Sequence, residues 1–216
     1  MGVIALDSYV LILRGNDSIS FVNGLSTNLV EGTCTTIFTT TAAKIIDVVD
    51  VIDKGDFVAL VGHGPFKDSL LNHISPRVLG QDVSIGDASS GNRVFLSTVK
   101  PQVPDNCTVV ETFRGWLIVA PISVEINETL SHEEFSEYRV QNMIPNQGHE
   151  ITQNVHPLAC GLGHLVHESK GCYIGQEILV RMRSRGRQGK ELLRIENPVD
   201  DATTTGVTHS LAIRRC

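Results

Sequence analysis

Along this chain, unbroken runs of β-branched residues alternate with short stretches of helical spacing. SYVLILR at 8–14 reads as a buried strand closed by Gly15-Asn16. In the ISFVNGLSTNLV that follows, Ile19, Val22 and Leu25 recur at helical intervals. Asp17 or Ser18 stands where a cap is needed, and Gly32 ends the unit. Threonine-rich TCTTIFTTT at 33–41 and IIDVVDVI at 45–52 predict two more strands. The turn DKGD and the returning FVALVG make the latter one arm of a hairpin. Residues 64–79 predict a helix, with Pro65 in its first turn and Phe66, Leu70, Leu71 and Ile74 as its apolar stripe. Strands follow near 81–86, 93–98 and 107–111, and at RGWLIVAP. SHEEFSEYRVQ predicts a helix whose acidic first turn suits the helix dipole. Near the end, ELLRIEN predicts a strand, then a turn, then a short strand ending in LAIRRC. Hairpins alternating with isolated helices predict an α+β chain with mixed antiparallel sheets, not a doubly wound one. No internal repeat or low-complexity tract is present.

Between Asn142 and Gly171 the periodicity stops. Pro145, Pro157, several glycines and four histidines (His149, His156, His164, His167) predict a long loop, and long ordered loops tend to be binding elements.

Composition narrows the class. The chain has 216 residues, is 41% apolar and carries a net charge of −6, enough for one large or two small domains and inconsistent with a general nucleic-acid binder. No apolar run approaches the roughly 20 residues a membrane span needs. MGVIALDSYVLILRG lacks a basic n-region and is broken by Asp7, so it does not read as a signal peptide, nor, with Asp17 following, as a transit peptide. Five scattered cysteines, an odd number, predict reduced thiols and a cytoplasmic protein.

Four groups of residues could carry chemistry. Cys172 lies in KGCYIGQE between Gly171 and Gly175, ahead of Ile174, Ile178 and Met182 at helical spacing. At or just before a helix N-terminus, with Lys170 near, a thiolate would be stabilised; equally, the residue reads as a small hydrophobe in a turn. Arg181, Arg183, Arg185, Arg187 and Lys190 cannot all share one helical face. They read either as a solvated helix end or as a local anion site that grips carboxylates or phosphates. His156, Cys160, His164, His167 and Cys172 have intervals of metal-ligand type but contain no CxxC or HExxH, so a loop with solvent-facing histidines is the simpler reading. Asp47 and Asp50, three apart in a strand, face opposite sides. One can enter a cavity while the other meets solvent, or both can guard an exposed edge.

KGCYIGQE at 170–177 followed by RMRSRG at 181–186 resembles the signature of the YgfZ-type folate-binding proteins. GNDSISFVNGLSTNLV resembles that family's N-terminal segment, and YRVQNMIPNQGHEITQNVHPL the stretch leading into the signature. The family is related to the aminomethyltransferase T-protein of the glycine cleavage system. The resemblance implies an aminomethyltransferase folate-binding fold around a channel for tetrahydrofolate, and a role in iron–sulfur cluster assembly or maintenance. It implies a functional thiol at Cys172, and Asp47 near the position of the T-protein's catalytic aspartate. Gln141 stands where the T-protein's pterin-gripping glutamate would be; an amide still bonds a pterin edge but offers no charge. Lys170, Tyr173, Gln176 and Glu177 belong to the same cofactor-binding signature, and Arg181, Arg183 and Arg185 suit the acidic glutamyl tail by charge type.

The expected lobes are 1–50 with 125–188 for folate binding, 51–124 as an inserted α+β lobe, and 189–216 as the remnant of a shortened C-terminal β lobe. The expected function is tetrahydrofolate binding in support of iron–sulfur proteins, with reduced folate and those proteins or their assembly factors as partners. No nucleic acid, membrane or metal is implied, and the oligomeric state is open. Two rivals stand beside it: a tetrahydrofolate-dependent one-carbon or aminomethyl transferase using Asp47, and a metal- or cluster-binding module using Cys160, Cys172 and nearby histidines.

Overall fold

The β-branched runs do become strands, and the apolar stripes become helices, in the computed structural model, which describes residues 1–184, 186 and 189–215. In chain order the strands are β1 Val3–Leu6, β2 Ser8–Arg14, β3 Cys34–Thr39, β4 Ile45–Asp53, β5 Val58–His63, β6 Ser84–Asp87, β7 Asn92–Ser97, β8 Thr108–Thr112, β9 Gly115–Pro121, β10 Glu191–Glu196, β11 Thr204–Thr205 and β12 His209–Arg214. The helices among the described residues are α1 Ser18–Leu25, α2 Lys67–Ile74, α3 His132–Asn142 and α4 Gln176–Ser184.

Three antiparallel sheets result, with strand orders β3-β4-β5-β2-β6, β1-β7-β9-β8 and β10-β12-β11. The hairpin read from DKGD is β4–β5, with Asp50 opposite Val61 and Asp53 opposite Val58. β4 is buried from Ile45 to Ile52, as its lack of alternation requires.

Two compact units divide the chain. The first comprises Met1–Asn23, Val30–Thr35 and Val49–Ser131; the second Gly24–Leu29, Thr36–Val48 and His132–Cys216. The first unit has a core of Val10, Ile52, Ala59, Val61, Val94 and Leu117, drawn from both of its sheets. In the second, Ala43, Leu158, Val166, Tyr173 and Leu179 cluster beneath α4, with Ile178 and Met182 packed at the margin.

Three local expectations are corrected. The helix over 64–79 is α2 flanked by single 3-10 turns at Gly64–Phe66 and Ser75–Arg77, because Pro65 and Pro76 each interrupt the backbone ladder. Asp17 does not cap α1 with its side chain, since its Oδ2 accepts from Asp82 N at 2.8 Å. Ile174 lies ahead of α4 rather than on its stripe, and Leu179 is the helix's buried residue. Among the C-terminal strands, Leu192 of β10 and Leu211 of β12 pack on Val140 of α3.

Candidate functional site

Asp47 and Asp50 of β4 are both buried, at 0% and 1% exposure, so neither meets solvent or guards an edge. β4 is an interior strand, and its charges must therefore be partnered within the protein. Asp50, in the first unit, forms an ion pair with Arg114 and accepts the Thr35 hydroxyl at 2.6 Å. Asp47, in the second unit, accepts its neighbour's amide, Val48 N, at 2.8 Å on Oδ1. The segment after α3 lies along this part of β4. Gln147 Nε2 donates to Val48 O at 3.1 Å, Gln153 Nε2 to Ile46 O at 3.4 Å, and Ile45 N to Val155 O at 3.0 Å. Side-chain amides thus continue the bonding that another strand would supply.

The KGCYIGQE loop is fixed from beneath. Lys170 is buried, and its ammonium donates to Ser26 O at 2.8 Å and Asn28 O at 2.6 Å while lying 5.5 Å from the Tyr173 ring centre. Its charge is thereby committed to backbone carbonyls and a ring face. Gln176 Nε2 donates back to Lys170 O at 3.3 Å. Thr39 Oγ1 donates to Ile174 O at 2.5 Å. Gly175 has φ +86°, and a Cβ there would stand 2.7 Å from Thr40 O, so only glycine fits this close turn. Cys172 is held exposed by these anchors. It sits four residues before α4 begins rather than at the helix mouth.

Tyr173 points the other way. Its ring is buried in the cluster beneath α4, and its hydroxyl has no hydrogen-bond partner among the described residues. Burial raises its pKa, an effect opposed by Arg183.

The cations divide. Arg181 is exposed and pairs with Glu177 one turn earlier at 2.5 Å, an ordinary helix-surface interaction. Arg183 reaches back to Gly163 O at 2.7 Å and Val166 O at 3.0 Å and stands 3.5 Å from Glu168. It ties α4 to the preceding loop. Arg185 lies outside the described residues.

Gln141 occupies the last turn of α3, exposed, with Nε2 donating to Glu137 Oε1 at 2.9 Å. Its neighbour Arg139, which the sequence reading passed over, is almost fully buried. Arg139 donates to Glu150 at 3.0 Å and to Thr204 Oγ1 at 3.0 Å. Glu150 also accepts from Asn146 N at 3.0 Å and from the Thr203 and Thr204 hydroxyls at 2.6 Å each. Desolvation lowers the Arg139 pKa and Glu150 opposes that shift. Neither residue stands out in the sequence: an Arg after Tyr138 and a Glu before Ile151 break no visible pattern.

The histidine–cysteine series is not a ligand set. His156 is buried, and its Nδ1 accepts from Ala159 N at 3.2 Å to cap a 3-10 turn. Cys160 is fully buried against the His156 and Pro157 carbonyls, and burial pushes its thiol up to about 12. Among the described residues no three His, Cys, Asp or Glu side chains gather as metal ligands.

The second unit therefore contains the buried Asp47 carboxylate, the exposed Cys172 thiol, the buried Tyr173 phenol and, at the surface, Gln141, Glu177 and Arg181. No helix among the described residues is long and apolar enough to cross a membrane. No family model matches the chain, and no curated protein matches its sequence. Solved structures do match. The crystal structure of glycine cleavage system aminomethyltransferase T from Bartonella henselae aligns with a TM-score of 0.78 over 99% of this chain and 78% of that one, at 10% identity. The chain has an aminomethyltransferase-like α+β fold.

Proposed function

We propose that this chain is a YgfZ-type protein that binds a reduced folate through its second unit and uses the Cys172 thiol in support of iron–sulfur proteins. The observation that carries the reading is the aminomethyltransferase-like fold across nearly the whole chain, found together with the KGCYIGQE signature on an anchored loop. The residues present are compatible with a polar heteroaromatic ligand. Tyr173 holds a buried hydroxyl with no partner among the described residues, and such a group gains a hydrogen bond when a polar ring reaches it. Asp47 would orient the pteridine from its buried position on β4, and Gln141 would contact it by leaving Glu137. Arg181 and Arg185 would meet the glutamyl tail, while Arg183 and Lys170 keep the loop in place. Bound tetrahydrofolate supplies the one-carbon-accepting nitrogens; the chain's own part is to orient the ring and present the thiol.

The test is anaerobic calorimetry with tetrahydrofolate in mono- and polyglutamyl forms. Binding weakened by Asp47→Asn and by Tyr173→Phe is expected, and a tail preference reduced by Arg181→Ala. No heat at concentrations up to about 1 mM, the weak end of useful affinity, would remove the folate reading. For the iron–sulfur role, Cys172→Ser should fail to sustain a [4Fe–4S] enzyme in cells depleted of this protein; full support by the serine variant counts against it. The named activity of the aligned structure favours one second reading, aminomethyl transfer to tetrahydrofolate. A transfer rate that disappears in Asp47→Asn would select it.

A further inference from the structure

One end of the first unit's core is left uncovered. Between the sheet containing β2, β4 and β5 and the sheet containing β7, β8 and β9 lies a cavity of about 260 Å³, floored by Ile12, Ile52 and Val119. Arg14 and Lys54 stand on its rim, both exposed, and the Arg14 guanidinium lies 5.2 Å from the Phe57 ring centre. No carboxylate lines the cavity, and neither cation makes an ion pair among the described residues. The acids beside Lys54 in sequence do not line the cavity, and Asp53 Oδ1 accepts from Gly55 N at 2.9 Å within the turn.

In a chain of net charge −6, two cations that make no ion pair among the described residues, beside an apolar floor, are an asymmetry with a chemical meaning. An apolar floor selects a hydrophobic body, two neighbouring cations select an anion, and the aromatic Phe57 in the lining favours a flat ring. The volume lies just below the usual range of roughly 300–1,000 Å³ for small-molecule sites, which limits the guest to one or two fused rings. We infer that this cavity binds a small aromatic carboxylate, with the ring between the sheets and the carboxylate held by Arg14 and Lys54. The site belongs to the first unit, and it stands or falls independently of the folate reading.

The probe is 2-naphthoate, titrated by calorimetry and by ¹⁵N–¹H shift mapping, with neutral 2-naphthalenemethanol as the comparator. The acid is expected to bind with shifts centred on β2, β5 and β9, about tenfold more tightly than the alcohol, and to weaken as salt rises. Arg14→Gln and Lys54→Gln should each lower its affinity by about 5–10-fold, and both together should abolish the difference between acid and alcohol. Ala88→Leu, which narrows the cavity while leaving both cations, should weaken the binding of acid and alcohol alike. Equal binding of acid and alcohol, unchanged affinity in the double variant, or shifts mapping elsewhere would each overturn the proposal.

Discussion

Glu150→Gln is predicted to be among the most damaging isosteric substitutions in the chain. The change keeps volume and shape but removes the charge that Arg139 faces, at a site where Glu150 is 0% and Arg139 1% exposed. The lost carboxylate also accepts from Asn146 N, Thr203 and Thr204. An amide can replace at most one oxygen's worth of those bonds, and its NH₂ group then faces donors. The Phe135 ring, 5.6 Å from the guanidinium, cannot neutralise a buried cation alone. Breaking a buried pair on one side costs about 3–5 kcal/mol. For a chain of this size each kcal/mol moves the midpoint by roughly 2–4 °C, so a fall of roughly 6–20 °C is expected. Urea and thermal unfolding followed by circular dichroism measure it. Arg139→Met/Glu150→Leu should recover at least half of the loss, since an apolar pair leaves no uncompensated charge. Glu150→Gln within about 1 kcal/mol of the parent, or a double variant weaker than the single one, would refute the reasoning.

Native-state alkylation followed by mass spectrometry should label Cys172 before Cys34 and Cys107 and leave Cys160 untouched until unfolding, because Cys172 is exposed and burial raises the Cys160 pKa to about 12. His73, held down to about 4 from 6.5 chiefly by desolvation and then by Arg77, takes up its proton more readily unfolded than folded. Its contribution is complete above pH 6.5 and is lost as pH falls towards 4. Discounted for partial exposure, this amounts to about 1–2 kcal/mol, and His73→Gln should flatten that part of the stability curve relative to the parent. Gly175→Ala combines a left-handed backbone with a contact 2.7 Å from Thr40 O. It should cost about 2–4 kcal/mol by thermal melting and increase protease cleavage in the cysteine loop.

The strands were legible because burial on both faces leaves continuous runs such as SYVLILR and IIDVVDVI, and β2 and β4 follow those runs within a residue. β1 and β11 were not, since four residues of VIAL and two threonines carry too little period to be told from loop. The turn that holds Cys172 followed from its flanking glycines, whereas its exposure did not, because a small thiol in a turn reads equally as a packed hydrophobe. Its distance from the helix did not, because the turn at Ile174–Gly175 takes up residues that the apolar spacing had given to α4. Charge type alone misjudged β4. An aspartate in a strand suggests an edge, but the arginine that permits its burial, Arg114, lies 64 residues away in sequence. The same separation in sequence hid Glu150, whose hydroxyl partners come from the far end of the chain.

Those hydroxyls have a consequence for biosynthesis. Thr203 and Thr204 are translated 53 and 54 residues after Glu150. At about 5–20 residues per second, the nascent chain spends roughly 3–11 s with that carboxylate lacking two of its donors. The segments of the first unit are all in hand by Ser131, whereas the second waits for its last strands. While those strands are still being translated, one half is ready to fold and the other still lacks part of its hydrogen bonding.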